Sequence, residues 1–166
     1  LVIINVNSSV SPSLLGFYDT QGKAYGVAVN DSEAYIASFF NGLQIADVSN
    51  PSNPTFLGAF AASGLSVDVA VNGNTAYLAT LTDGLQILDV TDPQAITLLG
   101  ALDTPGQAAG VAIKGNIAFV ADGISGLQII DVSDPANPTL LSSFATLSAA
   151  VDVIIEGDIA YVPNGE

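Results

Sequence analysis

Apolar residues alternate with polar or small ones in short runs along this chain, and the runs return on a fixed schedule. The run that sets the schedule is LQILDV, Leu85 to Val90. Its copies are LVIINV from Leu1, LQIADV from Leu43 and LQIIDV from Leu127, each start 42 residues after the one before. Alternation of this kind is the period of a β-strand, which puts Leu85 and Ile87 on one side and Gln86 and Leu88 on the other. A strict period between about 20 and 50 residues marks a repeat architecture, in which neighbouring units share a continuous core and none has to be a domain alone.

Three more strands fit each interval. Turn segments rich in Pro, Asx and Ser follow the first strand at Ser49–Pro54, Thr91–Pro93 and Ser133–Pro138. The second strand then reads SLLGFY from Ser13, TFLGAF from Thr55, TLLGAL from Thr97 and TLLSSF from Thr139, with a Gly or Ser at one place that predicts close backbone approach. After a link of nearly constant length comes YGVAV from Tyr25, VDVAV from Val67, AGVAI from Ala109 and VDVII from Val151. Short hairpin signals with Gly or Asn at the positive-φ position (Asn30-Asp31, Asn72-Gly73-Asn74, Lys114-Gly115-Asn116, Glu156-Gly157-Asp158) lead into AYIAS, AYLAT, AFVAD and AYVPN. The aromatic of that last strand (Tyr35, Tyr77, Phe119, Tyr161) recurs once per repeat, which suits a wedge between units better than a ligand platform. The pattern is all-β, with one four-stranded antiparallel sheet per repeat.

The stretch DVAVNGNTAYLATLTDGLQILDVTDP, from Asp68 to Pro93, resembles the LVIVD-repeat proteins, a bacterial and archaeal β-propeller family, and the resemblance runs the whole length of the chain. It implies a propeller or propeller segment whose blades run from VDVAV through AYLAT and LQILDV to an outer TLLGAL strand. The blades are then out of phase with the repeats 1–42, 43–84, 85–126 and 127–166. Leu1 to Tyr18 supplies two outer strands, Ala149 to Val162 supplies two inner strands, and three complete blades lie between. The expectation is a single repeat domain that is an excerpt of a longer protein or a ring closed by its termini. A homodimer completing a larger ring is the alternative.

Composition narrows the function. Sixteen acidic residues face only Lys23 and Lys114, for a net charge of −14. Nucleic acid and anionic lipid are poor partners for such a surface, and no apolar run is long enough for a spanning helix. With neither Cys nor His, disulfides, thiolate or imidazole metal sites and imidazole acid–base chemistry are absent. No stretch matches a calcium loop, a phosphate loop or a nucleophile elbow. No metal and no cofactor is expected.

In a blade of this order, the links before the inner strand and before LQILDV share one rim. The candidates for partner or ligand binding there are Tyr25, Phe39, Phe40, Asp83 and Asp122, with Leu81 and Ile124 beside them and Asp68 and Asp152 facing the central opening. They differ between repeats, whereas scaffold positions tend to repeat. Asp47, Asp89 and Asp131, with Asn5, do repeat and read as turn acceptors. The expected function is a non-catalytic scaffold for a protein or carbohydrate partner, placed outside the cell or at its surface by the family resemblance. The alternatives are a glycoside-directed hydrolase or carbohydrate-binding module using rim carboxylates and aromatics, and a purely structural segment carrying neighbouring domains.

Overall fold

The computed structural model describes residues 1–165, and all of their regular structure is strand. An N-terminal pair, β1 (Val2–Asn5) and β2 (Ser13–Phe17), comes first. The first complete blade holds β3 (Gly26–Asn30), β4 (Glu33–Ala37), β5 (Leu43–Asp47) and β6 (Thr55–Phe60). The second holds β7 (Ser66–Asn72), β8 (Thr75–Thr80), β9 (Gly84–Asp89) and β10 (Thr97–Leu102). The third holds β11 (Gly110–Lys114), β12 (Ile117–Ala121), β13 (Leu127–Asp131) and β14 (Thr139–Phe144). The C-terminal part has β15 (Ala149–Ala150), β16 (Ile154–Glu156), β17 (Ile159–Tyr161) and β18 (Asn164–Gly165).

Each complete blade is an antiparallel sheet in chain order, so the four strands expected per repeat are the four observed. The register also repeats: Tyr35 lies opposite Ile45, Tyr77 opposite Ile87 and Phe119 opposite Ile129. This is a β-propeller segment with terminal half-blades, and its ring is open. Among the described residues β1 pairs only with β2, and β17 only with β16.

The core lies between the blades rather than inside one. Along β8, Ala76 and Leu78 pack with Tyr35, Ala37, Leu43 and Ile45 of the first blade, while Tyr77 and Ala79 pack with Val111, Ala118 and Val120 of the third. Both faces of the middle strands are therefore covered, which is why β8 and β9 are buried almost without interruption. Each fully buried Leu or Ile contributes about 1.5–3 kcal/mol relative to exposure. Tyr35 and Tyr77 are the expected wedges, while Tyr161 is exposed.

Two local devices set the spacing of the blades. At Gly16, Gly58 and Gly100 an added Cβ would run into the carbonyl of Pro51, Pro93 and Pro135, so the outer strand presses on the Pro-rich turn of the next blade. The hairpin turns place Gly73, Gly115 and Gly157 at φ 56–58°, as their sequences predict, while in the first blade Asp31 rather than Asn30 takes the position, at φ 52°. Across the tips of those turns, Asn30 Nδ2 donates to Gly73 O (3.2 Å), Asn72 Nδ2 to Gly115 O (3.4 Å) and Lys114 Nζ to Gly157 O (2.6 Å).

One strand departs from the pattern. VDVII is not continuous, because β15 ends at Ala150 and β16 begins at Ile154. Continuing the β16–β17 register would set Asp152 opposite Pro163, which has no N–H to give to the ladder. The Val153 N–H turns instead to Asp152 Oδ1 at 2.7 Å.

Candidate functional site

The links that enter the inner strands and those that enter β5, β9 and β13 meet on one rim. The bridge between Phe39 and Ser66 joins one link of each kind, with N–H···O distances of 2.9 and 3.0 Å. Phe39 makes this bridge from a left-handed conformation, φ 50°, which aims its ring along the rim. The Tyr25 N–H donates to Ala37 O at 2.9 Å and brings the Tyr25 ring to 5.1 Å from that of Phe39, tilted by 36°. Phe40 meets Phe39 edge-on at 4.5 Å. The three rings form one chain, half-buried at Phe39 and open at both ends, with Tyr25 57% and Phe40 78% exposed. The equivalent positions hold Val67, Leu81 and Thr82 in the next repeat and Ala109, Gly123 and Ile124 in the one after, so the cluster belongs to one blade alone.

The carboxylates named from sequence form no group of three acids among the described residues. Asp122 is buried, and both its oxygens are engaged: Oδ1 accepts the Thr104 hydroxyl at 2.6 Å and Oδ2 the Gly106 N–H at 2.9 Å. Burial pushes its carboxyl above the ordinary value, against the pull of those two hydrogen bonds. Asp68 is half-buried in β7, and its Oδ2 accepts the Val111 N–H of the third blade at 2.8 Å. Burial raises it too, with a smaller push from Asp152. Asp152 is exposed, and Asp83 sits half-buried in its own turn, its N–H donating to Thr80 O at 3.3 Å. Tyr25, Phe39 and Phe40 are thus brought together, while Asp68 lies in β7, Asp83 and Asp122 sit in turns of two different blades, and Asp152 precedes β16.

The repeated acids are turn acceptors. Asp47, Asp89 and Asp131 each accept the N–H two residues on, from Ser49, Thr91 and Ser133 at 2.8–2.9 Å, and Asn5 does the same for Asn7 at 2.9 Å. Among the described residues no three His, Cys, Asp or Glu side chains group closely enough to hold a metal ion, and no helix is long and apolar enough to cross a membrane.

Sequence reasoning missed a groove of about 490 Å³ between the N-terminal pair and the first blade, lined by Tyr18, Asp19, Gln21, Asn41, Gln44 and Phe56. The signal was a difference between repeats. Gln86 Nε2 donates to Ser63 O and Oγ at 2.7 Å, but the residue equivalent to Ser63 is Gln21, and Gln44 Nε2 has no partner.

Comparison with solved structures supports this architecture. The chain superposes on the computationally designed Ika4 protein with a TM-score of 0.73 at 10% identity, over 90% of this chain and 89% of that one. The designed Ika8 protein gives 0.71 at 11% identity, over 90% of this chain and 46% of that one. A functionally unknown protein from Desulfotomaculum acetoxidans DSM 771 gives 0.80 at 19% identity, over 98% and 55%. The chain therefore spans about half the length of the latter two. No curated protein matches it. The family model described as LVIVD repeat matches residues 21–62, 63–104 and 105–146, so its boundaries follow the blades rather than the LQILDV starts. With three consecutive matches over most of its length, the chain belongs to the LVIVD repeat family.

Proposed function

We propose that this chain is a non-catalytic scaffold that binds a protein or carbohydrate partner through the rim carrying Tyr25, Phe39 and Phe40. The observation behind this reading is the cluster itself: three linked rings, exposed at both ends, on a loop surface that the neighbouring blades do not share. Strands buried on both faces leave recognition to the loops. Aromatic rings offer large contact area at low entropic cost, and the Tyr25 hydroxyl adds a polar handle suited to a sugar ring or a peptide. The net charge of −14 favours neutral or cationic partners. Asp68 and Asp122 hold neighbouring backbone and side-chain groups, a scaffold role rather than that of a paired acid and base. Placement at the cell surface or outside the cell rests on the resemblance to bacterial and archaeal surface repeat proteins.

The test is capture of partners and oligosaccharides from a cell-surface extract by the immobilised chain, compared with the Tyr25→Ala/Phe40→Ala variant. Loss of capture at an unchanged thermal midpoint is the expected result. A partner held equally by both proteins, or none held by either, overturns the reading.

A further inference from the structure

Three glutamines occupy one place in the three complete blades, and one of them lacks the partner the others have. Gln44, Gln86 and Gln128 lie in the third strand of their blades and are 4, 2 and 1% exposed. Gln86 Nε2 donates at 2.7 Å to the carbonyl and the hydroxyl of Ser63, which belongs to the link leaving the preceding blade. Gln128 Nε2 donates to Ser125 O of its own blade at 2.8 Å. Gln44 Nε2 has neither bond. In the first blade Gln21 stands in the place of Ser63 and Asn41 in that of Ser125. A buried amide N–H without an acceptor carries its full desolvation cost, which an acceptor from outside would relieve.

The groove of about 490 Å³ lies against this amide. Its apolar wall is set by the outer strand. Gln44 lies opposite Ala59, and the bulge between Ile45 and Ala46 then sets Phe56, rather than Leu57, opposite Ala46. Leu57 packs into the core with Ile45, and Phe56 comes to the Gln44 face with its ring 57% exposed. The same bulge in the next two blades presents Leu98 and Leu140, so the ring belongs to the first blade alone. The link after β2 supplies the polar side, with Tyr18, Asp19 and Gln21. Gly22 lets that link lie against the Asn41 side chain, for a Cβ there would stand 2.6 Å from Asn41 Nδ2.

These groups select a ligand chemistry. The Gln44 N–H requires an acceptor and the Asp19 carboxylate a donor, and a hydroxyl is both. An ammonium offers no acceptor. A phosphate would meet no cation, because neither of the chain's two lysines lines the groove. Phe56 adds the need for an apolar face, and hydroxyls arranged around a ring with an apolar C–H face describe a sugar. The volume is in the range of small-ligand sites. We propose that this groove binds a neutral pyranose, free or as a residue of a glycan, with its C–H face on Phe56, a ring or hydroxyl oxygen accepting the Gln44 Nε2–H, and a hydroxyl donating to Asp19. The site does not rest on the ring cluster of Tyr25, Phe39 and Phe40.

The test is titration of the isotope-labelled chain with the methyl glycosides of glucose, galactose, mannose, xylose and N-acetylglucosamine at millimolar concentration, followed by amide NMR. At least one of them is expected to shift the Gln44 side-chain amide saturably. Phe56→Ala is expected to weaken that binding about tenfold or more at an unchanged thermal midpoint, since the ring is exposed. Gln21→Ser copies Ser63, gives Gln44 an internal acceptor, and is expected to end binding without lowering the midpoint. Tyr25→Ala/Phe40→Ala is expected to bind the glycoside as the native chain does, which separates this site from the rim. A trisaccharide of the same sugar that binds more tightly than the glycoside identifies a glycan residue, and equal binding a free or terminal sugar. No shift at Gln44 with any of the glycosides overturns the proposal. So does equal binding by the native, Phe56→Ala and Gln21→Ser chains.

Discussion

Gly26 has no side chain because Asp68 occupies the space where one would go. Its missing Cβ would fall 2.6 Å from Asp68 Oδ1 and 2.9 Å from the Val67 carbonyl, both in the next blade. Gly110 stands in the same relation to Asp152. Neither glycine has a positive φ, so the requirement is for space and not for backbone freedom. Gly26→Ala is expected to destabilise the fold by about 1–3 kcal/mol, the usual cost of overpacking. Urea unfolding checks it, and the double variant Gly26→Ala/Asp68→Gly, which gives back the space, is expected to recover part of the loss.

Asp122 ties two blades together. Thr104 and Gly106 belong to the link that leaves the second blade, and Asp122 follows β12 of the third. Removing the carboxylate leaves a buried hydroxyl and an N–H without an acceptor, at about 1–3 kcal/mol. Asp122→Ala is expected to lower the unfolding midpoint by that amount. Thr104→Val, which removes one donor and leaves the carboxylate its other bond, is expected to cost less.

Much of this was legible in the sequence because a strict repeat turns each local signal into four. The strand order, the turns at Gly73, Gly115 and Gly157, and the acceptor roles of Asp47, Asp89 and Asp131 follow from residue types at fixed spacing. Residues that differ between repeats were harder to read. Asp122 and Asp83 stand near each other in the repeat pattern, yet one is buried, because Thr104 and Gly106 reach it from another blade, and chain order gives no sign of that contact. The alternation of Gly26, Asp68, Gly110 and Asp152 was visible as letters. Its meaning depends on distances across the junctions.

The two aromatic neighbours at the rim are expected to separate on substitution. Phe40 is exposed and touches the fold through Phe39, so Phe40→Ala is expected to change stability by less than about 0.5 kcal/mol. Phe39 packs against Tyr25 and Phe40 and bridges to Ser66. Phe39→Gly suits the positive φ but loses both ring contacts, and Gly123 already fills that role in the third blade. It is expected to leave the bridge intact while abolishing binding at the rim, which hydrogen exchange at Phe39 and Ser66 separates from unfolding.

The carboxylates predict a stability profile with a maximum in weak acid. Burial holds Asp68 and Asp122 above their ordinary value of 3.8, so the folded chain takes up their protons before the unfolded chain does. As pH falls towards 3.8, these groups therefore add stability, and the fall in net negative charge acts in the same direction. Asp47, Asp89 and Asp131 behave oppositely. The side chains and then the backbone N–H groups of Ser49, Thr91 and Ser133 hold them below 3.8, so the stability they give is present above that value and is lost as pH falls through their folded values. The thermal midpoint is expected to rise from pH 7 to about pH 4 and to fall below it. Calorimetry across that range checks the shape. Asp68→Asn with Asp122→Asn is expected to flatten the upper limb and leave the lower one, and a midpoint that declines steadily from pH 7 in the native chain would contradict the assignment of the two buried acids.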